Sequence, residues 1–128
     1  MISLNKLGST DASCFDLLSC IFEIGPSDFE VFTSLKTGKW VDLDSVAETI
    51  GKGRTSVFKS LQRLVGLGLV YRESRNLKSG GQYHVYTMAD FSGIKKIAQE
   101  RVKVIESALD SLLEKLDDDL MQKCGLTL

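Results

Sequence analysis

Apolar residues recur along this chain with a period near 3.6 in some stretches and near 2 in others, and the changes between the two outline a fold. Between Ala12 and Ile24, the residues Phe15, Leu17, Leu18, Ile21, Phe22 and Ile24 cover more than one narrow stripe. That pattern predicts a helix buried on most sides, packed against the C-terminal helix or a partner subunit. Residues 1–11 are polar and without period, a loose lead-in. Gly25-Pro26 interrupts the helical pattern. Ser27-Asp28-Phe29-Glu30 has the Ser-x-x-Glu form of a capping box, so the next helix is expected to be capped by Ser27. It should run to about Leu35, with Phe29, Phe32 and Leu35 inward, and stop by Gly38. Lys39-Trp40-Val41 reads as a short strand, with Trp40 as a packing residue.

The most informative stretch is Val41 to Tyr86. Asp42 is expected to cap a helix whose Val46, Ala47 and Ile50 face the core. Gly51-Lys52-Gly53 supplies a sharp turn, and a second helix follows over about residues 54–67, with Gly68 past its end. In that helix Val57, Phe58, Leu61, Leu64 and Val65 fall on one face, while Thr55, Ser56, Lys59 and Arg63 fall on the other. Leu69 to Arg75 then reads as a strand. A glycine-rich loop from Asn76 to Gly81 carries Lys78 near its tip, and Gln82 to Thr87 returns as a second strand. Two short helices, a tight turn and a hairpin together predict a winged helix-turn-helix, with wing 69–87.

From Asp90 to about Leu120 one long helical pattern contains no proline. Ala98, Val102, Ile105, Leu109, Leu112 and Leu116 are spaced as an a/d seam. A winged helix has little surface left to cover such a seam, so it reads as a dimerisation surface. Asp117-Asp118-Asp119 should fray the helix, leaving a loose tail. The expected organisation is therefore an N-terminal segment and helix over 1–25 at the dimer interface, a winged helix-turn-helix over 26–88, and a dimerisation helix and tail over 89–128. The fold class is mainly α with a small β wing (α+β).

Composition sharpens this picture at one point. The 128 residues carry a formal net charge of −1, which alone says nothing for a polyanionic partner. The distribution does. Residues 1–50 hold three bases and eight acids, whereas residues 51–88 hold seven bases against Glu73 alone, and residues 89–128 hold six bases and eight acids. A positive cluster coincides with the helix-hairpin unit, and the local field rather than the net charge attracts nucleic acid. Hydrophobic content of 43% and charged content of 26% are globular. With no signal-peptide pattern and no run long enough to span a bilayer, a cytoplasmic protein is expected, without membrane partners.

The chemistry of the side chains points to binding rather than catalysis. GKGRTS is not the GxxxxGK[ST] phosphate loop, and the lone His84 has no nucleophile near it in sequence, suiting it to a phosphate or water contact. Cys14, Cys20 and Cys124 form no CxxC and leave too few ligands for a zinc site, so no metal or other cofactor is expected. Cys14 and Cys20, six apart on one helix, point to different faces. Buried thiols in a reducing compartment are expected, the alternative being a redox sensor through Cys124. For DNA, a helix fits the major groove with its N-terminal residues nearest the base edges. Thr55, Ser56 and Lys59 are expected near bases, Arg63 near bases or backbone, and Lys52 and Arg54 at phosphates. Arg72, Arg75 and Lys78 of the wing should reach phosphates or the minor groove.

GPSDFEVFTSL, followed by DLDSVAETIGKGRTSVFKSLQRLVGLGLV with its LxxLxxxGLV ending, resembles the N-terminal domain of TrmB-like archaeal transcriptional regulators over about residues 24–87. MarR-like regulators share the architecture. The resemblance implies a homodimeric, sequence-specific DNA-binding regulator of transcription, its two heads presented to successive major grooves roughly 34 Å apart. Thr55, Ser56, Lys59 and Arg63 match recognition-helix positions. One departure is expected: about 40 residues of helix stand where the sugar-sensing domain of full-length family members would follow, so no effector is carried over. The rival reading is a winged-helix protein-interaction module of the transcription machinery without DNA specificity of its own.

Overall fold

The computed structural model describes residues 4–125. In chain order its elements are α1 (Leu4–Leu7), α2 (Cys14–Ile21), α3 (Pro26–Ser34), β1 (Val41–Asp42), α4 (Leu43–Ile50), α5 (Arg54–Leu67), β2 (Val70–Asn76), β3 (Gln82–Met88) and α6 (Phe91–Cys124). The sheet is antiparallel in the order β1-β3-β2. The β2–β3 hairpin keeps strict register from Val70↔Met88 at its root to Asn76↔Gln82 at its tip, and β1 closes the other edge through Val41↔Tyr86. This is the expected winged helix-turn-helix, mainly helical with a small β wing and a long C-terminal helix.

The core lies where α3, α4 and α5 cross above the root of the wing. From α5 come Val57, Leu61 and Leu64, from α3 Val31 and Phe32, from α4 Val46 and Ala47, and from the hairpin root Leu69, Val70 and Tyr86. Helix α2 adds Ile21, and Phe22 follows at its C-cap. Within the motif the turn behaves as its glycines require. Gly51 sits at φ +69, the left-handed region that a β-carbon disfavours, and Asp42 caps α4 by accepting from the Ser45 amide at 2.8 Å.

Two helix starts differ from expectation. Ser27 and Glu30 form no capping box: α3 begins two residues earlier, with Gly25 as its N-cap and Pro26 in the first turn. Proline has no amide hydrogen to satisfy and a preset φ, so it fits the first helical position, and Ser27 falls inside the helix. The box lies instead at the start of α2. There the Ser13 amide donates to the Asp16 carboxylate at 2.8 Å and the Asp16 amide donates to Ser13 Oγ at 3.1 Å. That helix ends at Ile21 rather than Ile24. The lead-in contains the one-turn α1.

Three further expectations need correction. Ala98 does not belong to an open seam: with Ile94 and Ile97 it packs on the core of its own chain. Asp117-Asp118-Asp119 does not end α6, which continues to Cys124 and closes at Gly125 in the left-handed region. Successive residues diverge by about 100° around a helix, so the three carboxylates spread over its surface instead of stacking on one face. Nor are the cysteines buried; Cys14 and Cys124 are exposed, Cys20 is half-buried, and all are free thiols. Helix α2 does pack against α6, as expected, where Arg101 Nε donates to the Ile21 carbonyl at 2.9 Å. Residues beyond Leu116 in the expected loose tail are helical to Cys124, and residues 126–128 lie outside the described residues.

A domain boundary was expected at residues 88–90, yet Met88 packs half-buried against the core and Ala89 is anchored within the head, with Asp90 exposed beside it. Ala89 is fully buried. Its amide donates to the Leu69 carbonyl at 3.0 Å, and its carbonyl accepts from Thr37 Oγ1 at 3.1 Å. The Tyr71 hydroxyl donates to Asp90 Oδ1 at 2.5 Å. A β-carbon at Gly93 would stand 3.1 Å from that hydroxyl and 3.0 Å from that carboxylate, so glycine is what lets α6 pass this close to β2.

The weight of the core on α5 is open to measurement. Leu61 is fully buried, and Leu61→Ala should lower unfolding free energy by about 2–5 kcal/mol in a urea titration, through lost transfer energy and the cavity left behind. A change under about 1 kcal/mol would mean that α5 is not the packed centre described here.

Candidate nucleic-acid interface

The rotation of α5 decides which side chains face outward. With Val57, Leu61 and Leu64 buried, the opposite row is Thr55, Lys59, Gln62 and Gly66, at spacings of four, three and four, and all four are exposed. Ser56 and Arg63 lie off this row, on the flank shared with buried Ser60. The other flank carries half-buried Phe58, which lines an open groove between the start of α5 and the wing together with Arg54, Gln82 and His84. Helix α3 therefore borders one side of the outward row, and the hairpin borders the other.

Arg63 departs from its expected role. Its guanidinium makes a fork on Asp28 of α3, Nε to Oδ2 at 2.8 Å and Nη2 to Oδ1 at 2.6 Å. The same Oδ1 accepts from Ser60 Oγ at 2.6 Å, which satisfies that buried hydroxyl. The pair holds the Asp28 carboxyl below its ordinary value, chiefly through the Arg63 hydrogen bonds, and raises Arg63 further. The carboxylate is only 13% exposed. A bidentate pair with one partner largely out of water is the kind that persists, so Arg63 ties α3 to α5 through Nε and Nη2.

Lys52 and Arg54 are also paired, but more loosely. Lys52 Nζ lies 2.9 Å from Glu30 and Arg54 Nε lies 2.5 Å from Asp44. The Arg54 pair is 68% and 69% exposed. Exposed pairs are worth about 0–1 kcal/mol, little against a phosphate competing for the same cation. Each of these acids comes from the acidic block of residues 1–50. The fold thus lays acids on the basic block, and the charge contrast along the sequence is reduced in space.

On the wing, Arg75 stacks over the half-buried Trp40 ring at 5.8 Å, and its guanidinium lies 4.0 Å from Glu73. Ser74 and His84 face each other across the hairpin, Oγ to Nδ1 at 3.2 Å. Among the described residues Lys59, Arg72 and Lys78 carry no ion pair. The turn at the tip of the wing is closed by the Leu77 amide donating to the Gly81 carbonyl at 3.0 Å, which exposes Lys78. Gln62 was missed by the sequence reading. Its signal was available, since it stands seven residues from Thr55 and three from Lys59.

Residues 18–92 match the model of the family described as sugar-specific transcriptional regulator TrmB. The chain is similar, at 31% identity over 101 residues, to the uncharacterized protein MJ1503 of Methanocaldococcus jannaschii, the match covering 79% of this chain and 76% of that one. A possible transcriptional regulator from Methanosarcina mazei Go1 has a similar structure, with a TM-score of 0.73 and 20% identity over 84% of this chain and 93% of that one. The ST1889 protein from the thermoacidophilic archaeon Sulfolobus tokodaii gives a TM-score of 0.59 and 22% identity over 74% and 93%. At these identities the structural likeness bears on the fold. No helix among the described residues is long and apolar enough to cross a membrane.

The Asp28 pair has a defined pH signature. Because the folded carboxyl titrates below its ordinary 3.8, its stabilising contribution is complete above that value and fades as pH falls through the lowered folded value. Asp28→Ala should cost about 1–3 kcal/mol near neutral pH, where it also strands the Ser60 hydroxyl. The difference from the parent should shrink only below pH 3.8. Urea titrations across pH 3 to 7 test this (a range spanning the usual carboxylate values), and a pH-independent difference would contradict the pairing.

Proposed function

The chain belongs to the TrmB family of transcriptional regulators, and from that membership we propose that it acts as a homodimer that binds double-stranded DNA sequence-specifically. In this reading α5 enters the major groove, and the wing lies on the backbone or minor groove. The observation that carries it is the outward row of α5. Thr55 and Lys59 project directly away from the core at the end of the helix that reaches base edges first. Arg72 and Lys78 stand beside them on a hairpin with no competing acid partner among the described residues.

In the complex Lys59 meets bases or the phosphates lining them, and Thr55 and Ser56 offer short donors and acceptors at the helix start. Lys52 and Arg54 exchange their exposed acid partners for phosphate. Arg75, backed by Trp40, presents its remaining donors to the strand beneath the wing. Arg63 contributes by holding α5 against α3. Each phosphate neutralised adds about −0.9 to the slope of log K against log salt.

Dimerisation rests on α6. The helix has 34 residues, about 51 Å at 1.5 Å per residue. Only its first turns touch the head. Beyond them Val102, Ile105, Leu109, Leu112 and Leu116 are 36–62% exposed along one stripe. Contiguous apolar surface of this kind, exposed on a helix that packs on the described head only through its first turns, marks an interaction face, and spacing of four and three suits a second copy of the same helix.

Two measurements test these statements. In a gel shift against random duplex at low salt, the parent should bind at micromolar concentration and Lys59→Glu should bind at least tenfold more weakly while keeping its helical spectrum. Absence of any binding by the folded parent would favour the protein-interaction module instead. In light scattering, the parent should have twice the chain mass, and Ile105→Asp with Leu112→Asp should give monomers with an intact head. Unchanged mass in the variant would place the interface elsewhere.

A further inference from the structure

We infer that Gln62 is a base-reading residue, its side-chain amide recognising an adenine in the major groove about three base pairs from the position that Thr55 faces. This inference rests on the DNA-binding reading above and extends it to a residue outside the candidate site drawn from the sequence.

Three observations meet at this position. First, Gln62 lies at the middle of the outward row, between Lys59 and Gly66, opposite the buried Val57, Leu61 and Leu64. Second, the competing long polar side chain on this turn is withdrawn, because both Arg63 nitrogens that form its fork are spent on Asp28. Third, the next residue along the row is Gly66, where an added β-carbon would meet nothing within 4 Å. The row ends in bare backbone, so a groove wall can close on the helix beyond Gln62 without being held off.

Side-chain chemistry then selects the base. Of the outward residues only Gln62 carries a donor and an acceptor side by side on a stem long enough to reach a base edge. That pair matches the N6 donor and N7 acceptor of adenine, and one such bidentate contact discriminates by about 1–3 kcal/mol. Seven residues of helix separate Thr55 from Gln62, about 10.5 Å, against about 3.4 Å per base pair. Helix and groove thus run alongside each other over roughly three steps, which sets the expected distance between the two readouts.

Selection from a random duplex library by the full chain tests the assignment, run in parallel with Gln62→Ala and Gln62→Glu. Gln62 is exposed and both replacements are good helix formers, so the variants should keep the parent's circular dichroism. The parent should enrich a motif containing an adenine at one position per half-site. Gln62→Ala should lose about 5- to 150-fold of discrimination at that position alone, the fold-change equivalent of one bidentate contact, with the salt slope unchanged. Gln62→Glu should move the preference there toward cytosine, whose N4 donates. A motif in Gln62→Ala identical to the parent's, or a uniform weakening across all sequences, would overturn the assignment while leaving DNA binding intact. Failure of the parent to enrich any motif would overturn the DNA-binding reading, and this assignment with it.

Discussion

The buried ridge of α5 is the constraint on which the rest of the structure depends. Val57, Leu61 and Leu64 are almost wholly removed from water, and each such side chain is worth about 1.5–3 kcal/mol of burial. The ion pairs around α5 are mostly exposed and worth about 0–1 kcal/mol each. Apolar packing therefore sets the rotation of the helix, and the charged residues take the positions that this rotation leaves them. Thr55, Lys59 and Gln62 point outward for the same reason that Leu61 points inward. A rotation by one residue would carry Lys59 toward α3 and strand Leu61 in water.

Given that phase, the Asp28 fork makes a finer adjustment. It joins a residue in the first turn of α3 to one two-thirds of the way along α5, and it satisfies the buried Ser60 hydroxyl. An arginine at this flank is costly to leave unsupported and useful when supported, since its fork resists sliding of α3 along α5. The same contact removes a cation from the surface offered to a polyanion. Orientation of α5 and the strength of the positive field around it are therefore in competition at Arg63, and the structure favours orientation.

Much of the fold was legible because it rests on short-range rules. The phase of α5, the left-handed Gly51 turn, the Asp42 cap and the hairpin all follow from residues within a few positions of one another. What escaped depends on partners far away in sequence or on a choice between two equal local signals. Ser13-x-x-Asp16 and Ser27-x-x-Glu30 are both Ser-x-x-acid, and only Pro26 decides that the second is not a cap. Arg63 meets a carboxylate 35 residues away, which no periodicity reports. Ala98 continues the spacing of the outer α6 stripe without a break, and its burial appears only when the head is placed beneath it. The basic character of residues 51–88 was legible as a sum and misleading as a surface, because Glu30, Asp44 and Asp28 fold back onto three of its cations.

The junction at Ala89 bears most on how two heads could address one DNA molecule. A flexible linker there would let each head find its own half-site, and the apolar stripe on α6 would contribute only local concentration. The structure has the opposite arrangement. Ala89 is held on both sides by Leu69 and Thr37, and Tyr71 of the wing holds Asp90 at the first turn of α6. The helix leaves the head at a fixed angle, and a long helix amplifies small changes at its root: over about 50 Å, a tilt of ten degrees displaces the far end by roughly 9 Å, more than two base-pair steps. In a homodimer built on α6, the spacing of the two recognition helices would be set by the contacts of Thr37, Leu69 and Tyr71 as much as by the stripe itself. Selectivity for operator spacing would then reside in residues that touch neither the DNA nor the partner.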